Sequence, residues 1–127
     1  EWRYTIMAYL QAGKYYVGDL CYVMHNEWDE VCDLILSKNR PQEGVFTLKD
    51  GRKFAIFDTR YGDGTYYDQK NREYPVDSGS IGCILASDVT EEINEELGNI
   101  IEFSSEFRPW SDGKTLNFGK VAIETDY

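Results

Sequence analysis

Residues 80–87 read SIGCILAS, with apolar side chains in both odd and even positions. Successive residues of a strand point to opposite faces. A strand apolar in both phases therefore needs cover on both sides, which makes this segment a central strand buried on both faces. At 127 residues the chain reads as a single domain, 1–127, large enough to bury a core without disulfide or metal staples.

The clearest hairpin is GVFTLKDGRKFAIF, residues 44–57, and parity decides its turn. A two-residue loop at Asp50-Gly51 sets Phe46 and Leu48 opposite Ala55 and Lys53. A three-residue loop of Lys49, Asp50 and Gly51 puts Phe46, Leu48, Phe54 and Ile56 on one face instead. Burying those four side chains at roughly 1.5–3 kcal/mol each favours the second register by several kcal/mol. A type I turn is expected, with Gly51 in the left-handed bulge position.

The remaining elements follow from periodicity and turn chemistry. Tyr4 to Leu10 and Lys14 to Val17 read as strands joined by a turn at Gln11–Gly13. Asn26 is a good helix cap, with Glu27, Asp29 and Glu30 at the positive end of the helix dipole. Trp28, Val31, Cys32 and Ile35 then share one helical face, so a helix is expected at about 26–37. Its geometry places Cys32 on the inner face as a shielded core thiol. GTYYDQKNREYPV is a second hairpin turning near Asp68–Asn71, and Pro75 restricts its second strand to an edge or a strand end. Asp88 and Glu91 form a capping pair ahead of a Val89, Ile93, Leu97 stripe, which predicts a second helix at about 88–97. Strands are expected again at Asn99–Phe103 and Thr115–Thr125, the latter with a bulge at Gly119, where the apolar phase switches. The total is about eight strands and two short helices. The fold class is α+β, a mainly antiparallel sheet that is strongly curled or closed into a partial barrel.

Charge excludes some partners. The net charge is −10, and the acids are unevenly distributed: residues 1–60 carry nine acids against eight bases, residues 61–127 fourteen against five. Nucleic acid is not bound through a basic face, because phosphate neutralisation needs clustered Lys and Arg. No apolar run is long enough to span a bilayer, so no membrane partner is expected. The N-terminal stretch, with Arg3 as its only basic residue, is unlike a signal peptide. Three cysteines are too few for a disulfide scaffold, which points to a reducing cytoplasm.

Two groups of residues could carry chemistry. Cys21, His25 and Cys32 offer zinc-type ligands, and Cys21 with His25 offers a thiol nucleophile beside a base. Both readings compete with a plain strand–loop–helix junction, and no second close-spaced pair completes a metal site. No metal and no cofactor is expected. The second group is Asp19, Asp63 and Asp77, each beside or one residue from a glycine. Such loops suit hard cations or general-base work, though Asp and Gly are also ordinary turn formers. Tyr61, Tyr66, Tyr67 and Tyr74 surround these aspartates, and rigid aromatics with polar tips serve binding surfaces. A ligand is therefore expected at Tyr61, Asp63, Tyr66, Tyr67, Tyr74 and Asp77. RPWSDGK, residues 108–114, is a loop whose tryptophan covers a core edge or meets a partner. Phosphate loops, nucleophile elbows and dinucleotide-binding glycine patterns are absent from the sequence.

The runs YYVGDLCYV, WDEVC, YGDGTYYD and VDSGSIG together resemble small proteins of phages, bacteria and large DNA viruses. Those carry Y-x-G-D-P-C-Y-V, a tryptophan-led helix and a later Y-G-D-G-x-Y segment. The likeness covers about residues 14–103, with Leu20 in place of the proline. It implies a phage, viral or bacterial setting and no particular activity. The expectation is a non-enzymatic binding or regulatory domain acting through an acidic, tyrosine-rich surface on a protein or small ligand. The alternative is a small hydrolase or ligand-degrading enzyme using the Gly-flanked aspartates, with or without a divalent ion. The sequence leaves the oligomeric state open.

Overall fold

The structure is a computed structural model that describes residues 8–36 and 43–126. Its strands are β1 (Gly13–Gly18), β2 (Gly44–Thr47), β3 (Lys53–Asp58), β4 (Gly64–Asp68), β5 (Glu73–Val76), β6 (Ser80–Leu85), β7 (Gly98–Phe103), β8 (Trp110–Ser111), β9 (Thr115–Phe118) and β10 (Val121–Glu124). One α-helix, α1 (Trp28–Ile35), and three 3-10 turns at Leu20–Tyr22, His25–Glu27 and Ala86–Asp88 complete the described elements. The strands form two five-stranded sheets, ordered β2-β3-β6-β1-β7 and β5-β4-β10-β9-β8. Each strand pairing within them is antiparallel. The class is thus α+β and antiparallel, as expected.

β6 lies in the middle of the first sheet, between β3 and β1. Ile81 and Cys83 point into one core cluster and Ile84 into another, so the double-phase apolar pattern is accounted for. The first cluster lies between the sheets. Tyr15, Val17, Ala55, Phe57, Ile101 and Phe103 of one sheet meet Tyr66, Tyr74, Val76, Leu116, Phe118, Val121 and Ile123 of the other. The second covers the opposite face of the first sheet, where Tyr16, Leu20, Phe54, Ile56 and Ile84 pack under Val31, Trp28, Leu34 and Ile35 of α1 and under Val89 and Ile93.

This layering corrects the expected curled sheet or partial barrel. Closing one sheet on itself buries a single face of each strand. β1, β3 and β6 carry apolar residues on both faces, and separate layers bury them. The sheets stay open, with β2 and β7 at the edges of one and β5 and β8 at the edges of the other.

The first hairpin has the register that burial favours. Phe46 faces Phe54 and Gly44 faces Ile56, Gly51 has φ +99°, and Phe46 stacks on Phe54 with ring centroids 5.7 Å apart. The second hairpin repeats the device: Tyr66 pairs with Tyr74, and Asn71 takes φ +62° at the turn. Pro75 sits on β5, an edge strand, where its missing N–H costs no ladder bond.

Four further expectations change. The helix at 26–37 is present but shorter, with a 3-10 turn at His25–Glu27 leading into α1; residues 37–42 lie outside the described residues. Cys32 is only half-buried, and the buried residue of α1 is Val31. The helix at 88–97 does not form: a 3-10 turn ends at Asp88 and an irregular strap follows. Glu91 and Glu95, like Glu92 and Glu96, would be like charges one turn apart, which destabilises a helix. Tertiary bonds hold the strap instead. Arg52 Nη1 donates to the Asp88 carbonyl at 3.0 Å, and the Asn26 N–H donates to Glu91 at 2.7 Å.

Lastly, Gly119 is a turn and not a bulge. β9 and β10 are two strands pairing Phe118 with Val121, and Gly119 takes φ +58° at the first of two loop positions. Glycine at that position is the type II′ hairpin signature. The proposed strand from Tyr4 falls largely outside the described residues; its end, Leu10, bridges to Phe107.

Candidate functional site

The three Gly-flanked aspartates come from three loops at one end of the first sheet. β1 ends at Gly18, and Asp19 caps the 3-10 turn at Leu20–Tyr22. Asp63 precedes β4, and Asp77 lies between β5 and β6. Two of these loops touch directly. The Thr59 N–H donates to the Gly79 carbonyl at 3.0 Å, and the Thr59 hydroxyl donates to the Gly62 carbonyl at 2.7 Å. Tyr66, buried in the core, donates its hydroxyl to the same Gly62 carbonyl at 2.8 Å.

Asp19 is fully buried and ties its turn to the loop after β5. Its Oδ1 accepts from the Cys21 N–H at 3.0 Å and the Ser78 hydroxyl at 2.7 Å. Its Oδ2 accepts from the Asp77 and Ser78 N–H groups, each at 2.7 Å. Four N–H and O–H donors occupy both oxygens, leaving this carboxylate no lone pair aimed at a substrate. It is an internal brace, satisfied as a buried charge must be.

Asp63 and Asp77 are exposed. Asp77 Oδ2 accepts from the Tyr22 hydroxyl at 2.7 Å. Burial and that bond to Asp77 push the Tyr22 hydroxyl up, so it stays protonated as a donor. Cys21 is half-buried beside them. Burial, a hydrogen bond to Asp19 and the negative charges of Asp19, Asp77 and Asp63 push its thiol up to about 12. A thiol so placed is a poor nucleophile at neutral pH. Burial also raises Cys83 and Cys32.

The remaining expected residues divide by strand alternation. Tyr66 and Tyr74 face the core and are wholly buried, whereas Tyr61 and Tyr67 are exposed. Tyr61 donates to Asp126 at 2.8 Å. Tyr74 donates at 2.7 Å to Asp68, a buried carboxylate that also accepts from the Lys70 and Arg72 N–H groups and from Arg72 Nε. His25 is exposed, on the turn before α1. Among the described residues no three His, Cys, Asp or Glu side chains are grouped to hold a metal ion; Cys21, His25 and Cys32 make no such group.

The arrangement is therefore a braced rim. Asp63, Asp77, Tyr22 and Tyr61 face solvent on loops that Asp19 and Thr59 fix in place. Such a rim offers fixed acceptors to a cationic or hydrogen-bond-donating partner. Sequence reasoning named the aspartates but missed Ser78, Tyr22 and Thr59, which hold them. The serine of VDSGS and the tyrosine of LCYV were the available signals. Among the described residues no helix is long and apolar enough to cross a membrane. Compared with protein-family models, curated proteins and solved structures, the chain matches none.

Proposed function

We propose that the chain is a non-enzymatic binding or regulatory domain, cytoplasmic and encoded by a phage, virus or bacterium, that acts through an acidic rim on a protein or small ligand. In the phage or viral case it works in the host cytoplasm. One observation carries the reading: Asp19 uses its whole carboxylate to fix the loop bearing Asp77, beside the loop bearing Asp63. A buried charge held by four donors keeps recognition loops rigid, and pre-organised loops lose less entropy on binding. The surplus of acids after residue 60 adds attraction for basic partners.

A hydrolase using the Gly-flanked aspartates is the second reading, favoured by the placement of Asp19, Asp63 and Asp77 on loops at one end of the first sheet. It is the weaker one, because the raised thiol and the occupied Asp19 leave it no activated nucleophile.

The test compares partner recovery on the intact protein, on Asp63→Asn/Asp77→Asn, and on a variant with Glu91, Glu92, Glu95 and Glu96 changed to Gln. Loss of a partner with the rim variant alone supports the reading. Equal recovery from all three removes both acidic surfaces from the account.

A further inference from the structure

A separate cleft of about 330 Å³ opens at the opposite end of the first sheet, with Leu10, Tyr15, Lys53, Leu85, Asp88 and Glu106 in its lining. Strand alternation puts Lys53 on the face of Ala55 and Phe57, and Leu85 on that of Ile81 and Cys83. Both therefore extend the surface that lies between the sheets, at its open end. Leu10 and Tyr15 are buried members of that core and Leu85 packs against it, so one wall of the cleft is apolar within a largely polar lining.

The charges at this mouth are of both signs. Arg52, next to Lys53, pairs with Asp50 and Glu27. Lys53, Asp88 and Glu106 have neither an ion pair nor a side-chain hydrogen bond among the described residues. One unpaired ammonium and two unpaired carboxylates thus border one cleft with an apolar wall. The volume falls near the lower end of the roughly 300–1,000 Å³ range of ligand sites, which suits a molecule of a few heavy atoms. We propose that this cleft binds a small zwitterion of the amino-acid class, its carboxylate on Lys53, its ammonium between Asp88 and Glu106, and an apolar side chain toward Leu10 and Leu85. The site stands apart from the acidic rim, so its test does not depend on the rim's function.

The probe is L-leucine, titrated into the whole protein and followed by amide NMR, with N-acetyl-L-leucine and L-leucinamide as probes lacking one charge each. Saturable shifts confined to residues 9–11, 51–53, 85–88 and 106 are expected with leucine. Either derivative should bind at least about tenfold more weakly. Lys53→Gln, at an exposed position, should bring leucine down to the affinity of leucinamide while leaving the thermal midpoint unchanged. No saturable shift with leucine up to about 10 mM, about ten times a Kd of 1 mM, overturns the proposal. Equal binding of all three probes, or shifts centred elsewhere, overturns it as well.

Discussion

Asp19 grips Ser78 twice, accepting its backbone N–H at 2.7 Å and its hydroxyl at 2.7 Å. The two residues lie on the loops that follow β1 and β5, so the carboxylate acts as a cross-link between distant parts of the chain. Hydrogen bonds to a charged acceptor contribute roughly 1.5–3 kcal/mol each, less where water can replace the partner. Asp19→Ala should therefore cost about 3 kcal/mol in denaturant unfolding, and Ser78→Ala, which removes one bond of four, about 1 kcal/mol. A loss under about 1 kcal/mol for Asp19→Ala would show that the brace does not bear on the fold.

Asp68 predicts an acid-sensitive hairpin. Burial pushes its carboxyl up, but the Tyr74 hydroxyl, the Arg72 N–H and guanidinium and the Lys70 N–H together outweigh burial and hold it below the ordinary carboxylate value. A group depressed in the folded state adds stability above its unfolded pKa and loses it as pH falls through the folded value. Unfolding free energy should hold above about pH 5 and drop as pH falls below about 4. Asp68→Asn should flatten that drop, while lowering stability at neutral pH. An unchanged acid limb in the variant would assign the sensitivity to other carboxylates.

How much of this was legible in the sequence depends on the range of the interaction. The β2–β3 register followed from four apolar side chains within one short hairpin, and β6 from its double-phase pattern, because local alternation and burial decide both. The pairing of β1 with β6 and β7 was not legible. Those contacts join segments some 65–90 residues apart, and nothing in the sequence ranks one long-range partner over another. The strap at 88–97 fooled a helix pattern because Arg52 and Asn26, distant in sequence, hold it against repelling glutamates. In the site, Asp19 was recognisable as a turn aspartate, but its partners Asp77 and Ser78 were not. Strand alternation could have separated Tyr66 from Tyr67, one facing in and the other out.

Thiol chemistry offers a third test. With its pKa pushed up to about 12 by burial and by Asp19, Cys21 exposes about a thousandth of the usual thiolate, partly offset by the greater nucleophilicity of a more basic thiol. Alkylation of native Cys21 by iodoacetamide near pH 8 should run roughly 50-fold slower than a free thiol. Its rate should still climb as pH rises past 9. Mass-mapped labelling as fast as a model thiol would revive the Cys21–His25 nucleophile.

Close packing at two glycines gives a fourth. A Cβ on Gly82 would collide with the Ala55 carbonyl oxygen and lie 2.8 Å from Leu20, and one on Gly98 would lie 2.5 Å from the Tyr16 ring. Tyr16 has little freedom to move, since its hydroxyl donates to the Leu97 carbonyl at 3.1 Å. Gly82→Ala should cost about 3 kcal/mol or more, because the obstruction is backbone in a central strand. Gly98→Ala should cost roughly 1–3 kcal/mol. Thermal midpoints within a degree or two of the parent for both would contradict the pairing of β3 with β6 and of β1 with β7.

The brace itself is read most directly by hydrogen exchange at two amides. Asp77 and Ser78 are exposed loop residues, and their N–H groups would exchange at loop rates if only solvent met them. Because both donate to the buried Asp19 carboxylate, their exchange at neutral pH should be slowed at least about a hundredfold relative to the unstructured chain, as for other bonded amides of stable elements. Asp19→Ala should release both amides while leaving the β6 amides protected. Exchange of Asp77 and Ser78 at unprotected rates in the parent protein would contradict the account of Asp19 as the cross-link that fixes the rim.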